Sequence, residues 1–197
     1  NRSADALGHQ SSNLDRFVVQ DYGKLLAAVA RNLAIAHTAL EPRRHQPEDV
    51  IATLVEMVGL HVIQLHGAAN PERVERVRAA TGKEVWAVVR TADGSLPDNV
   101  EELGDAADAL LIDAHVPGQL GGSGVKVPWD QLGESLDALD YHPRIVLAGG
   151  LTPENVAEAI DLVAPNAVDV SSGVESSAGI KDHSRIRAFV SAVRSAG

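Results

Sequence analysis

Four short segments carry the residues whose types and spacing could do chemistry. They read QLHG over Gln64–Gly67, LLIDAHVPGQLGGSG over Leu110–Gly124, LAGGLTPENV over Leu147–Val156 and VDVSSGVESSAGIKD over Val168–Asp182. Each begins with apolar residues typical of a buried strand and goes on to polar residues or glycine. The pattern predicts catalytic and binding groups at the carboxyl ends of separate strands.

Asp113 ends the apolar run LLID and is the best candidate for an acid. Burial disfavours the charged form of a carboxyl group, so a partly desolvated aspartate can donate a proton near neutral pH. The residues alone favour a plainer role, in which Asp113 caps or anchors a loop.

Three glycine-containing segments are candidates for binding an anion. Glycine lets the backbone approach a ligand closely and present N–H groups to it. A phosphate site after the last two strands is also a common barrel feature. One such segment would indicate only a tight turn, but three in neighbouring units favour phosphate binding by Gly122 and Gly124, Gly149 and Gly150, and Ser172 and Gly173.

Four further residues have candidate roles. Arg16 is predicted in a loop after the strand Ala4–Gly8, where its guanidinium could pair with a carboxylate. His66 could hydrogen-bond a substrate, although a histidine at a strand end is more often structural. Asp169 lies near the same end of the last strand and could contact substrate, and Asp182 is expected to cap the final helix.

The elements that must position these residues alternate along the chain between strand-type and helix-type patterns. The predicted strands are Ala4–Gly8, Leu33–Ala39, Val62–His66, Val85–Arg90, Ala109–His115, Ile145–Gly149 and Ala167–Ser171. The predicted helices are Gln20–Ala30, Pro47–Val58, Pro71–Thr81, Val100–Ala106, Pro128–Leu139, Pro153–Val163 and His183–Ser195.

Proline in first helical turns, polar caps before them and glycine just past helix ends support these boundaries. The residues concerned are Pro47, Pro71 and Pro153 in first turns, Asn70 and Thr152 as caps, and Gly59 and Gly82 past the ends.

Seven such units fit two α/β architectures. A doubly wound open sheet tolerates seven strands, whereas a (β/α)8 barrel requires eight. The polar residues at several strand ends favour the barrel, because there those ends converge on one mouth. We therefore expect a single (β/α)-barrel domain over residues 1–197, incomplete at its amino-terminal side.

Composition narrows the function classes. Apolar residues make up 45% of the 197 residues and aromatic residues only 3%, which favours an aliphatic core of buried parallel strands. The formal net charge of −10 and the lack of a basic patch argue against nucleic-acid binding. No cysteine, signal peptide or membrane-length apolar run is present, and the histidines are scattered, so we expect a cytoplasmic protein without a metal site.

The four segments resemble phosphoribosylanthranilate isomerases of tryptophan biosynthesis in order and spacing. The resemblance is specific from Val62 to the carboxyl terminus and weaker before it, where it depends on ADALG and on Arg16. It implies a TIM barrel without a cofactor, with Asp113 as general acid and the glycine loops on the substrate phosphate. It also implies that Arg16 recognises the anthranilate carboxylate, and that His66 and Asp169 line the site.

The implied reaction is an Amadori rearrangement of N-(5-phosphoribosyl)anthranilate to 1-(2-carboxyphenylamino)-1-deoxyribulose 5-phosphate. The family's general base is a cysteine in a K-I-C-G segment of the first strand, and nothing here matches that segment. We expect that the first βα unit is missing from this sequence; a divergent homologue with another base is the alternative.

Two other readings stay open. One is a dual-substrate isomerase that also acts in histidine biosynthesis, although no half-to-half repeat is found. The other is a non-catalytic sugar-phosphate-binding relative. In each case the expected partner is a phosphorylated small molecule rather than a membrane or nucleic acid, and the protein would be a monomer or homodimer.

Overall fold

A computed structural model describes residues 16–19, 35–37, 47–67, 70–114, 128–140 and 142–196, the first two segments by their backbone. The strands are β1 (Arg16–Val19), β2 (Ile35–His37), β3 (Val62–Leu65), β4 (Glu84–Arg90), β5 (Ala109–Asp113), β6 (Ile145–Ala148), β7 (Ala167–Val170), β8 (Glu175–Ser177) and β9 (Ile180–Lys181). The helices are α1 (Glu48–Val58), α2 (Pro71–Thr81), α3 (Val100–Ala106), α4 (Trp129–Asp137), α5 (Val156–Val163) and α6 (His183–Ser195), with a 3-10 turn at Ser172–Val174.

Seven strands form one parallel sheet in the order β1-β7-β6-β5-β4-β3-β2. From β3 to β6 each strand is followed by a helix and pairs with the next strand along the chain. This is the right pattern for repeated βα units, because parallel strands need a crossover and a helix supplies it. Strands β8 and β9 form a separate antiparallel hairpin.

Side chains alternate between the two faces of the sheet. One set joins the helices in the larger core, as Ile63, Val85, Leu110 and Val168 do. The other set forms a second buried cluster on the opposite face: Val62, Trp86, Val88, Ala109, Leu111, Val146, Ala148 and Ala167. Burial on both faces explains why these strands are almost continuously apolar.

The sheet is strongly curled. Gln64 on β3 lies close enough to Asp169 on β7 to lower the pKa of its carboxyl group, although β4, β5 and β6 lie between these two strands in the sheet. In a flat sheet, strands spaced about 4.8 Å apart would place β3 and β7 about 19 Å from each other. The contact therefore requires the carboxyl ends of the strands to bend round toward a common axis, as in a barrel.

The amino-terminal end of this inner face is held by a polar cluster. Arg144 Nη1 lies 2.6 Å from Glu84 Oε1, and Trp86 Nε1 donates to the same oxygen at 2.8 Å. The Arg144 guanidinium also lies 5.9 Å from the centre of the Trp86 ring. The cavity described below opens at the other end of the sheet.

Several predicted boundaries are confirmed. Helices α2, α3 and α6 begin and end where the sequence predicts. The Asn70 side chain accepts a hydrogen bond from Arg73 N at 2.8 Å, as an amino-terminal cap should. Gly59 and Gly82 end their helices at φ 71° and 64°, in the left-handed region that glycine adopts readily.

Two predicted placements are wrong. Arg16 begins strand β1, which pairs in parallel with β7, instead of lying in a loop. The run RFVV contains an aromatic and two β-branched residues, which fit a strand beside an available partner. Helix α5 begins at Val156 and not at Pro153, because Thr152 N and Glu154 N bond locally to Asn155 Oδ1 and Thr152 Oγ1 and form a turn first.

Other predicted elements, Ala4–Gly8 and Gln20–Ala30, lie outside the described residues. In the part of the chain that the structure describes, the longest helix is too short and too polar for a bilayer span.

Candidate active site

A cavity of about 320 Å3 opens at the carboxyl ends of β5, β6 and β7. It brings together Asp113 from the end of β5, Gly149 and Gly150 after β6, and residues 171–173 after β7. Its lining comprises Asp113, Gly149, Gly150, Leu151, Asp169, Val170, Ser171, Ser172, Gly173, Glu175 and Gly179. Groups that are distant in sequence therefore meet because parallel strands present their carboxyl ends on the same side.

The glycines of this cavity are required by close approach. Gly149 and Gly150 have φ of 91° and 65°, and a Cβ on Gly149 would lie 2.7 Å from Asp113 Oδ1. A Cβ on Gly173 would overlap the carbonyl oxygen of Leu151. Both glycines thus let neighbouring strand ends pack closely against each other at the rim of the cavity.

Asp113 lines the cavity and is partly exposed. Its side chain is 27% exposed, and its Oδ2 lies 3.7 Å from Arg90 Nε, whose side chain is 71% exposed. The two residues are register partners on β4 and β5. The Asp113 carboxylate is consequently both reachable from the cavity and near a cation.

Asp169 is the deeply buried carboxyl of the site, with a relative exposure of 2%. Burial raises the pKa of Asp169 well above its ordinary value, and the nearby Asp113 charge acts in the same direction. The hydrogen bond from Gln64 and the Lys181 charge oppose that rise. The desolvation that the sequence predicts for Asp113 is therefore strongest at Asp169 on β7, two strands away from β5 in the sheet.

His66 follows β3 beside these groups but does not line the cavity described above. Burial lowers the pKa of His66, the positive charge of Arg90 lowers it further, and Asp113 acts in the opposite direction. The imidazole is thus expected to be neutral at neutral pH, so its role would be as a hydrogen-bonding group.

Lys181 and Glu175 were not singled out from the sequence, although both lie in the segment VDVSSGVESSAGIKD. Lys181 Nζ donates to Glu175 Oε1 at 2.8 Å, to the Ser171 carbonyl at 3.1 Å and to Ser171 Oγ at 3.3 Å. Their side chains are 11% and 10% exposed. Charged residues on strands of three and two residues have no periodicity to reveal them; the signal in the sequence is a lysine and a glutamate within a glycine-containing segment.

The other predicted residues are placed as follows. Asp182 caps α6, as predicted, by accepting from Ser184 N at 2.7 Å and Arg185 N at 3.2 Å. Arg16 is described only by its strand backbone, and Gly122 and Gly124 lie outside the described residues. Among the side chains that the structure describes, no cluster of three His, Asp or Glu residues is arranged to hold a metal ion.

A curled parallel α/β sheet with an anion-compatible cavity at its carboxyl ends defines a TIM-barrel-type enzyme site. The sequence model of the family described as N-(5'phosphoribosyl)anthranilate (PRA) isomerase matches residues 16–192. The chain belongs to this family.

Relatives with that name are closely similar. The N-(5'-phosphoribosyl)anthranilate isomerase of Acetivibrio thermocellus is 40% identical over 158 residues, which cover 77% of this chain and 70% of the relative. The enzyme of Paracoccus denitrificans is 45% identical over 148 residues, covering 73% and 67%.

Solved structures give the same result. Phosphoribosylanthranilate isomerase from Thermotoga maritima superimposes with a TM-score of 0.63 at 31% identity, covering 82% of this chain and 72% of that one. A phosphoribosylanthranilate isomerase in complex with reduced 1-(o-carboxyphenylamino)-1-deoxyribulose 5-phosphate has a TM-score of 0.60 at 28% identity, covering 82% and 70%.

Proposed function

We propose that the cavity binds N-(5-phosphoribosyl)anthranilate and that Asp113 is the general acid of its Amadori rearrangement. The function itself is that of the family: this is an isomerase of tryptophan biosynthesis, an intramolecular oxidoreductase. The observation that carries the residue assignment is that Asp113 and two glycine turns line the same cavity.

The substrate phosphate would bind at Gly149, Gly150, Ser172 and Gly173, and, on the sequence pattern alone, at Gly122 and Gly124. Support comes from the place of Gly149, Gly150, Ser172 and Gly173 in the lining of one cavity. Phosphate binding on β6 and β7 would place the ribose toward β5, since Gly149 touches Asp113. Both ends of the reacting sugar would then be positioned before the chemistry starts.

Asp113 would donate its proton to the furanose ring oxygen as the bond between C1′ and that oxygen breaks. The nitrogen lone pair forms the C1′=N bond of an open-chain iminium. A base then removes the proton from C2′, and the electrons return toward nitrogen to give an enolamine. The enolamine becomes the ketone as C1′ gains a proton and the C2′ hydroxyl loses one. His66 and Asp169 are proposed to contact substrate or hold Asp113 in place, and Arg16 to bind the anthranilate carboxylate.

The general base of the family is a cysteine, and these 197 residues contain no cysteine. General base catalysis accelerates a reaction about 10²–10⁴-fold. We therefore expect the turnover rate of this chain to be lower by about that factor. Its binding of ligand should be retained, because the phosphate turns and Asp113 are present.

The test separates binding from turnover. Isothermal titration with reduced 1-(o-carboxyphenylamino)-1-deoxyribulose 5-phosphate should show binding, and phosphoribosylanthranilate fluorescence should show slow decay. Asp113→Asn should bind the reduced compound within a few-fold of wild type and lose the residual turnover. Absence of binding would contradict the proposed site, whereas a normal rate would show that another base replaces the cysteine.

Two outcomes would favour the alternatives. Binding without measurable turnover, even after a strand bearing the K-I-C-G segment is supplied, would indicate a non-catalytic sugar-phosphate binder. Turnover of the corresponding histidine-pathway aminoaldose would indicate a dual-substrate isomerase.

For the architecture, we propose a single (β/α)8-barrel domain over residues 1–197 in which the first βα unit is missing. The support is topological: β1 and β2 are the two ends of the described sheet, so a further strand could join them. A monomer or homodimer is expected, since a Thermotoga maritima relative is described as dimeric. Cytoplasmic location and the lack of nucleic-acid partners stay expectations from composition.

A further inference from the structure

The candidate phosphate site poses an electrostatic problem. Among the residues that the structure describes, three carboxyl groups line the cavity, those of Asp113, Asp169 and Glu175, and no lysine or arginine does. The chain as a whole carries a formal net charge of −10. A phosphate dianion entering such a cavity would be repelled unless these negative charges are balanced from behind the wall.

Lys181 lies immediately behind that wall. Its ammonium group contacts both the carbonyl and the hydroxyl of Ser171, the residue that leads into the turn at Ser172 and Gly173. The same group pairs with Glu175 Oε1 at 2.8 Å, and its charge acts on Asp169. One cation thus touches the turn and offsets two of the three carboxyl groups.

The β8–β9 hairpin fixes this arrangement. Glu175 and Lys181 are register partners across the hairpin, and Glu175 Oε2 accepts from Gly179 N at 3.0 Å near its tip. Asp182 N bonds to Val174 O at 2.8 Å and ties the far end of β9 to the 3-10 turn. Lys181 is therefore held by its own strand β9 and by its ion pair with Glu175 of β8. Moving its ammonium group away from Ser171 would break that ion pair.

We propose that Lys181 is a positioning residue of the anion site: it fixes the Ser171–Gly173 turn and supplies the positive charge that lets an acidic cavity accept a phosphate dianion. This inference rests on the proposed function, because it assumes that the turn binds phosphate.

The test compares two ligands on the full chain by isothermal titration. One is reduced 1-(o-carboxyphenylamino)-1-deoxyribulose 5-phosphate, and the other is the same compound after removal of its phosphate. Lys181→Met should weaken binding of the phosphorylated ligand on the order of tenfold, the loss expected of one charge-assisted contact, and leave the dephosphorylated ligand nearly unchanged. Lys181→Arg should recover most of the loss.

Lys83→Met is the matched control, because Lys83 precedes β4 at the opposite end of the sheet. If Lys181→Met does not fold, Lys181→Gln retains a donor for Ser171 without the charge and allows the same comparison. Equal losses for both ligands, or no loss for either, would overturn the inference. A wild-type chain that binds both ligands equally well would instead show that the proposed phosphate site is wrong, and the inference would fall with it.

Discussion

At the scale of single residues, the site contains two aspartates with different surroundings. Asp113 is partly exposed beside Arg90, whereas Asp169 is buried against Gln64 and close to Lys181. An acid that must meet substrate needs the first environment, and a group that holds neighbours in place can occupy the second. The division supports Asp113 as the proton donor and Asp169 as a supporting or substrate-contacting group.

The raised pKa of Asp169 predicts how stability depends on pH. Since the folded-state pKa lies above the unfolded value of 3.8, the stabilisation is complete below pH 3.8 and is lost as pH rises toward the folded pKa. In that window the wild type should lose up to about 1.4 kcal/mol of unfolding free energy per pH unit relative to Asp169→Asn.

Urea unfolding of both proteins across a series of pH values gives the comparison, and the slopes matter more than the absolute stabilities. Asp161→Asn changes an exposed aspartate of α5 and should leave the wild-type slope in place. Parallel pH curves for wild type and Asp169→Asn would contradict the prediction.

At the scale of elements, the carboxylate of Asp182 caps the amino terminus of the last helix, α6. The Asp182 side chain accepts from two backbone N–H groups of the first turn of α6. The same residue joins this helix to β9, so the cap lies next to Lys181. Loss of the cap should therefore loosen both the helix and the hairpin that supports the candidate anion site.

Asp182→Ala should destabilise the protein by about 1 kcal/mol, within the range of 0.5–2 kcal/mol that is typical of a lost amino-terminal cap. Asp182→Asn retains an acceptor oxygen and should lower the free energy of unfolding by only a few tenths of that amount. The midpoints of urea denaturation measure both. A loss for Asp182→Asn as large as that for Asp182→Ala would show that the charge, and not the cap, is what matters.

Most of the described elements could be predicted from sequence because their signals are local. Strands β4 to β7 are apolar runs, and α2 starts with the pair Asn70–Pro71 and ends at Gly82. Strand β1 was missed because only a partner strand distant in sequence makes RFVV a strand. Helix α5 was predicted three residues too early, since Thr152 and Asn155 satisfy each other in a turn that periodicity does not reveal.

The residues of the site likewise divide into those that the sequence predicts and those that it does not. Asp113 and the glycine turns could be named because they directly follow apolar strands. Lys181 could not be assigned a role, because its importance comes from contacts that the β8–β9 hairpin creates. The depth of Asp169 was also hidden, since only the curl of the sheet brings Gln64 to it.

At the scale of the whole molecule, the net charge of the protein opposes binding of the ligand. A protein with a net charge of −10 repels a phosphorylated carboxylate at long range, although Lys181 favours it locally. Salt screens the long-range part first, because the Debye length falls from about 30 Å at 0.01 M to about 8 Å at 0.15 M ionic strength.

Association of the reduced ligand should consequently become faster as ionic strength rises over this range, the reverse of the usual behaviour of oppositely charged partners. Stopped-flow fluorescence of binding would measure it. The dephosphorylated ligand, which carries less charge, serves as the comparison and should respond less. A rate that falls with added salt would mean that the field at the cavity mouth is positive despite the acidic chain.

Among the residues that the structure describes, those that line the cavity all lie between positions 113 and 179, and Lys181 follows two positions later. On the proposed assignment, that stretch would carry the phosphate turns, the proton donor and the supporting lysine together and could be exchanged as one unit. Recombination with a different amino-terminal half could then replace the proton-abstracting group while the grip on sugar phosphates passes unaltered to the descendant. New reactions on phosphorylated sugars could arise from this scaffold through one crossover instead of many separate substitutions.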